Sequence, residues 1–385
     1  MLQTSQLNTP VLTCHFWNVG QGLFSSGKIE TNNGEPFVWV YDCGTASSQI
    51  LIDNAILEMQ KEYQLDRIDL LVTSHFDKDH ISGVKSLLKR YPVRYWLLPY
   101  YSKWKRYVIA IEKGISVHSS LFTFYQDPFA FIQKEFKEYI KETKVIFYDS
   151  LESNDANELN NVQFEQLDGN LEPLEKGGYK LNKNITYKGF EFIPYNLPIS
   201  LVSTNGINFY QFELDIEYIL NNSPTTKSLQ LCYDKYFGKS SKQRNIISLF
   251  LYIGVAFNSY SYKQNYFSNQ NKVTYSVHIS DPFITSILYT GDGYLDTKQR
   301  VNDLSHYLGS RRMNNIYCFQ VPHHGAKNNW HKGLAKEISP TYSVFSSDPN
   351  HKKYGHPHAM VSQDFLPYSP IQVDKVNKFK FKFIF

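Results

Sequence analysis

The stretch I-D-L-L-V-T-S-H-F-D-K-D-H-I-S-G, Ile68 to Gly83, constrains this 385-residue chain more than any other. An apolar run of strand length stops, and His75, Asp77, Asp79 and His80 follow at once. Short, mostly apolar runs of this kind read as buried strands. Residues just beyond them stand at the edge of a sheet, where alternating side chains in a turn can converge on one point. The pattern recurs. S-I-L-Y-T-G-D-G places Asp292 after an apolar run, C-F-Q-V-P-H-H-G does the same for His323 and His324, and K-K-Y-G-H-P-H offers His356 and His358. Repeated placement of His and Asp at strand ends predicts one site along one edge of a sheet.

The surrounding chain supports a layered arrangement. V-L-T-C-H-F-W-N-V alternates like a strand and G-Q-G turns the chain, while E-P-F-V-W-V-Y-D-C-G-T reads as a second strand ending in Asp42. Ile52, Ala55, Ile56 and Met59 recur at helical spacing within Ser48–Tyr63. The strand Ile68–Thr73, a helix over Gly83–Arg90 and the strand V-R-Y-W-L-L-P follow, a β–β–α–β–α–β rhythm that predicts an α/β fold. From Tyr100 to Gln243 the pattern changes: a helical segment, Phe129–Glu142, precedes a polar, partly acidic stretch and then irregular Tyr- and Asn-rich sequence. The expected organisation is therefore a first half (1–99), an insertion or subdomain (100–243) and a second half (244–385). Strand signals return at N-I-I-S-L-F-L-Y-I, and the final K-F-K-F-K-F-I-F predicts a strand with a buried Phe face and a solvated Lys face.

Composition excludes several classes. With 42% hydrophobic and 20% charged residues, disorder along the whole chain is ruled out. The net charge of +4 permits a polyanionic partner without requiring one. The N-terminus has no basic-then-apolar leader, and the longest apolar stretch, Ile246–Phe257, is too short to span a bilayer. A soluble, cytoplasmic protein with no membrane partner is expected. Cys14, Cys43, Cys232 and Cys318 form no C-x-x-C pair and are expected as buried free thiols.

A divalent metal needs several nitrogen or oxygen donors and an open position. His75 and Asp77 could share one ion, and Asp79 and His80 a second. The alternative is a polar turn with an Asp helix cap, but two imidazoles and two carboxylates at this spacing are uncommon in a loop. Further on, Lys103, Lys105 and Arg106 interleave with Tyr100, Tyr101, Trp104 and Tyr107. Such cations can neutralise phosphates while the rings stack on unpaired bases, or the stretch is an ordinary surface. Tyr95–Leu98 reads as core strand, and the loops S-S-K-Q-R and G-S-R-R-M are too short to decide anything. Lys327, in H-H-G-A-K-N-N, is a candidate phosphate contact.

T-S-H-F-D-K-D-H-I-S-G resembles the metallo-β-lactamase superfamily signature H-x-H-x-D-H, with Asp77 in place of the second His. The H-x-D-x-D-H variant is similar to the soluble hydrolase domain of the competence DNA-channel protein ComEC. F-W-N-V-G-Q-G, Y-D-C-G, N-I-I-S-L, Y-T-G-D-G, V-P-H-H-G-A-K and Y-G-H-P-H agree in order, over Val11–Pro99 and Asn245–Met360. The resemblance implies an αββα sandwich with a large insertion. It implies His75 and Asp77 on a first metal, Asp79 and His80 on a second, and Asp292 bridging both. One of His323 and His324 completes the set, with His323 favoured as nearer the strand end. It further implies His356 or His358 at the leaving group or metal, and Asp42 supporting the site from behind. Asn18 stands where this branch more often has Asp and reads as a loop-structuring change. The extra His that many relatives place before the bridging Asp has no counterpart, since His118 and His278 read as structural; the first metal is therefore expected to be the weaker one.

The expected cofactors are two divalent ions, Mn or Zn with Mg possible, because Asp77 adds charge and hardness. Two such ions generate hydroxide near neutral pH and suit in-line displacement at phosphorus. Asp79 could both bind metal and orient the attacking hydroxide, with the leaving-group proton from His324, His356 or His358. The expected function is a phosphodiesterase, a nuclease with DNA as the favoured partner. The alternatives are hydrolysis of a small phosphodiester, such as a cyclic nucleotide or phosphocholine ester, and a non-catalytic nucleic-acid-binding or scaffold protein. The insertion is a candidate surface for a protein partner, and a place in bacterial antiviral defence is an expectation of the resemblance alone.

Overall fold

The computed structural model describes residues 10–385 except 33, 150–160, 197–205, 223, 239–247, 257–263, 270–271 and 278–283, with 264–277 described as strand backbone only. The acidic stretch, most of N-I-I-S-L, the S-S-K-Q-R loop and His278 lie outside the described residues.

Among the described residues, one sheet has eleven strands and the other eight. In the larger sheet, Val11–Phe16, Phe24–Glu30 and Phe37–Cys43 run antiparallel in turn. Phe37–Cys43 then begins a parallel series through Ile68–Val72, Val93–Pro99, Lys144–Tyr148 and Tyr179–Leu181. On the opposite side Phe379–Ile384 pairs with Val11–Phe16, and the hairpin of Gln264–Asn269 and Lys272–Val277 extends the sheet beyond it. The smaller sheet carries its own parallel series: Ser286–Tyr289, Ile316–Gln320, Tyr342–Ser346 and Pro370–Val373. Leu249–Val255, Phe190–Asn196 and Asn184–Tyr187 continue it in antiparallel fashion.

Side-chain alternation builds the layers. Phe37, Trp39 and Tyr41 pack between the sheets, whereas Val38 and Val40 face the helices Gln49–Tyr63 and Val84–Arg90. Ile193, Phe250, Leu288 and Phe319 of the second sheet pack under Lys298–Leu308, Leu334–Ile338 and Ala359–Phe365. The result is helix on sheet on sheet on helix, the expected αββα sandwich. Phe379, Phe381 and Phe383 are fully buried in the layer between the sheets. Each contributes roughly 1.5–3 kcal/mol by burial. The Lys face of this strand is not merely solvated: Lys378 pairs with Glu58 at 2.8 Å and Lys380 pairs with Glu62, both on the helix Gln49–Tyr63. All four cysteines are free and buried, and Tyr95–Leu98 is core strand. No helix among the described residues is long and apolar enough to cross a membrane.

Between 100 and 243, the helices Lys103–Glu112, Ser120–Gln126, Pro128–Phe136, Phe209–Asn221 and Thr226–Phe237 join the outer face of the larger sheet. This segment also supplies strands to both sheets, which its irregular composition conceals. Lys188 and Gly189, both at positive φ, form the tight turn that pairs Tyr187 with Phe190. The strand Phe24–Glu30 escapes sequence reading because its F-S-S-G-K pattern is polar. Gly27 is required there, since a Cβ would lie 1.9 Å from the Trp39 ring.

Candidate metal centre

The parallel strands of both sheets deliver their following residues to one edge, where ligands gather in open α/β sheets. Phe37–Cys43 brings Asp42, Ile68–Val72 is followed by the His75–His80 turn, and Ser286–Tyr289 is followed by Asp292. Ile316–Gln320 is followed by His323 and His324.

Two donor groups form there. Donor atoms of Asp79, His80, Asp292 and His324 lie within 4.8 Å of one another, as do those of His75, Asp77 and Asp292. Asp292 is common to both and divides its oxygens between them. Its Oδ1 is 2.9 Å from His80 Nε2 and 3.5 Å from His324 Nε2, while its Oδ2 is 3.5 Å from His75 Nε2. His324 Nε2 also lies 3.3 Å from Asp79 Oδ2, and His75 Nε2 lies 3.5 Å from Asp77 Oδ2.

The second nitrogen of each imidazole is tied from behind. His80 Nδ1 bonds Asp42 Oδ2 at 2.7 Å, His75 Nδ1 meets the Ser74 hydroxyl at 2.9 Å, and His324 Nδ1 bonds the Ser346 carbonyl at 2.6 Å. This fixes the rings so that Nε2 points inward. The Nε2 atoms of His75, His80 and His324 and Oδ1 of Asp292 are buried without a hydrogen-bond partner. Together these nitrogen and oxygen atoms make a donor set that a divalent cation would satisfy. The residues of the larger group therefore fit a divalent ion of the kind that the fold implies.

The histidine pair divides differently from the sequence expectation. His324, not His323, joins Asp79, His80 and Asp292. Both residues have positive φ, 47° and 59°, so the chain doubles back and buries the second ring beneath Tyr342–Ser346. His323 remains a third exposed, with Nδ1 on Asn329 Oδ1 at 2.8 Å and Nε2 3.4 Å from Asp292 Oδ2, on the side of the smaller group. Ring centroids place His356 at 5.6 Å from His323 and 5.0 Å from His358. The Lys327 backbone N–H donates to His358 Nδ1 at 3.3 Å, and the Lys327 side chain is exposed beside them.

Charge is concentrated here. Burial opposes ionisation of Asp292, but the imidazoles of His323, His80 and His324 hold its carboxyl well below the usual range. Asp77 is likewise lowered, with burial outweighed by Lys113 and His75. Burial, then the neighbouring His324, His323 and His358, pushes His356 down to about 3. Lys113 is a site residue that sequence reasoning missed. Its Nζ lies 3.0 Å from Oδ1 and 3.0 Å from Oδ2 of Asp77. Ser74, Asn329 and Ser346 were also not foreseen, although the first two sit inside the quoted motifs. His118 is exposed and belongs to neither donor group.

Lys103, Lys105 and Arg106 lie on the helix Lys103–Glu112, apart from the donor groups. Lys103 pairs with Glu217, and Lys105 lies 5.5 Å from the centre of the Trp104 ring. Lys103, Arg106 and Lys176 line a cavity of about 330 Å³ with Tyr100 and Phe129. Arg106 Nε is buried there without a hydrogen-bond partner. Phe124, another wall of the cavity, stacks at 3.9 Å on Phe76, the neighbour of His75.

Fold and site define a class: the chain has the metallo-β-lactamase superfamily fold. The profile of the Metallo-beta-lactamase superfamily matches residues 32–124, which hold Asp42, the H-F-D-K-D-H turn and Lys113. Among solved structures, the chain is similar to the metallo-beta-lactamase fold protein YhfI from Bacillus subtilis, at 9% identity and TM-score 0.37, over 96% of this chain and 98% of that one. A diphosphatase from the PhnP family matches at 9% identity and TM-score 0.39, over 96% of each chain. A long-form RNase Z from yeast matches at 10% identity and TM-score 0.35, over 96% of this chain and 41% of that one. No curated protein matches the sequence significantly.

Proposed function

We propose that this protein is a metal-dependent phosphodiesterase acting on nucleic acid, with DNA as the favoured substrate. The reading rests on one observation above all: two donor groups, rich in carboxylate, share Asp292 and aim unsatisfied atoms at one edge of the sandwich. Oxygen-rich donor sets favour hard divalent ions such as Mn or Mg without excluding Zn. Ions held there would polarise a phosphoryl oxygen and make water nucleophilic near neutral pH.

The chain's own residues have separable roles in this reading. Asp79, at the rim of the larger group, would accept a hydrogen bond from the attacking water and orient it. His324, with Nδ1 bonded to Ser346 and Nε2 turned into the donor group, would serve as a metal ligand in this reading. His358 accepts the Lys327 N–H on Nδ1, which leaves its proton on Nε2 for a leaving-group oxygen. Lys327 would contact a flanking phosphate. Lys103, Arg106 and Tyr100 would hold more distant nucleotides by charge and stacking.

The test is hydrolysis of linear, circular, single- and double-stranded DNA, and of RNA, with Mn²⁺, Mg²⁺ or Zn²⁺. Wild type should cleave DNA, and Asp79→Ala should lose roughly a hundredfold or more in rate. Equal behaviour of the two proteins on every substrate overturns the proposal. Turnover of bis(p-nitrophenyl) phosphate with no cleavage of any nucleic acid would move the assignment to a small phosphodiester.

A further inference from the structure

The donor group of His75, Asp77 and Asp292 has one residue fewer than its neighbour, and a cation of the protein's own already stands at it. Lys113 Nζ spans both oxygens of Asp77 at 3.0 Å. Its position is set by the helix Lys103–Glu112, whose Val108, Ile109 and Ala110 are fully buried. The Lys113 N–H bonds the Ile109 carbonyl at 3.0 Å, and Gly114, at φ 62°, ends the helix immediately afterwards. The ammonium is thus delivered by a packed element, while its side chain remains 31% exposed.

We propose that Lys113 takes the place of a second metal ion. The protein then holds one tightly bound divalent ion, at Asp79, His80, Asp292 and His324, and the ammonium neutralises Asp77. Charge supports this division. The carboxylates that enter the donor groups, Asp77, Asp79 and Asp292, are matched by one divalent ion and one ammonium, with a fourth, Asp42, hydrogen-bonded to His80 behind them. A second divalent ion would meet the ammonium across a shared carboxylate, where like charges a few ångströms apart repel strongly. It could bind only by displacing Lys113 into solvent. The Asp at position 77 and the Lys at 113 are therefore one device, because Asp77 is the carboxylate that the ammonium spans and a neutral His there would remove that ion pair. The inference rests on the metal-dependent reading above and narrows it.

Manganese titration of the full-length, metal-stripped protein tests this without any assay of activity. After gel filtration, wild type should retain one Mn²⁺ per chain with the electron paramagnetic resonance spectrum of an isolated ion. Lys113→Met, which keeps the stem and removes the charge, should bind a second ion roughly tenfold or more tighter than wild type. Its spectrum should show exchange coupling between two ions. Lys113→Arg should keep the single-ion behaviour, and circular dichroism should show both variants folded. If Lys113→Met does not fold, Lys113→Gln replaces it. Two ions of equal affinity in wild type, or one isolated ion in a folded uncharged variant, overturn the proposal for Lys113 alone. A wild type that retains no ion overturns this proposal and the metal-dependent function together.

Discussion

His80 donates from Nδ1 to Asp42 Oδ2 across 2.7 Å, and both side chains are wholly buried. The same oxygen accepts the Ser74 hydroxyl at 2.6 Å, and Oδ1 accepts the Ser74 N–H at 2.7 Å. One carboxylate thereby sets the His80 tautomer and anchors the turn that carries His75, Asp77 and Asp79.

Asp42→Asn tests that coupling with little change of shape. Asn tolerates the positive φ of 53° at this position, so backbone strain is not added. The amide no longer supplies two charged acceptor oxygens to Ser74 and His80. Metal affinity should fall by about 10–100-fold while the fold persists. Competition with a chromophoric chelator measures it, and unchanged affinity would refute the supporting role of Asp42.

The division between His324 and His323 predicts unequal consequences. His324→Ala removes a buried donor from the four-residue group and should abolish retention of the tightly held ion. His323→Ala leaves that group intact and should retain it, with turnover reduced instead. Elemental analysis of both variants after dialysis decides the matter. Equal loss of metal would mean that the two imidazoles share the ion.

His15 supplies a pH dependence away from the metal centre. It is buried, and its imidazole is held well below the ordinary range by burial first, then by Lys380 and Lys378. Above the unfolded value of about 6.5, neither state is protonated and the full stability is present. As pH falls below that value the unfolded chain takes up the proton first, so stability declines toward acid. The urea midpoint should drop more between pH 7.5 and 5.5 for wild type than for His15→Asn. Parallel drops would assign the acid sensitivity to other groups.

Much of the fold and site is legible in the sequence because donors follow closely on buried apolar strands. Asp42, the His75–His80 turn, Asp292 and the His323–His324 pair all obey that rule. The parts that were not legible depend on tertiary geometry. The choice of His324 over His323 rests on two successive left-handed residues, which no apolar pattern announces. Lys113 reaches Asp77 from the end of a helix, across 36 positions of chain. The strand Phe24–Glu30 hides its burial behind serines: Ser25 is fully buried, with its hydroxyl on the His15 carbonyl at 2.6 Å and 3.0 Å from Tyr289 Oη.

Arg106 connects the cavity to the proposed substrate. A guanidinium whose Nε is buried without a partner, beside Tyr100, Phe129 and two lysines, is poised for an anion that also offers a flat face. If a nucleotide of single-stranded DNA occupies the cavity, Arg106→Gln removes one phosphate-neutralising charge and leaves the donor groups untouched. Binding of a metal-loaded, catalytically silent Asp79→Asn protein to a labelled oligonucleotide should then weaken several-fold on adding Arg106→Gln. The slope of log affinity against log salt should become shallower by about 0.7, the value for one phosphate contact on a single strand. Bound manganese should be unchanged by the second substitution. If affinity and salt slope both stay the same, the nucleic acid takes another path across the surface, and the cavity beside Arg106 is not part of it.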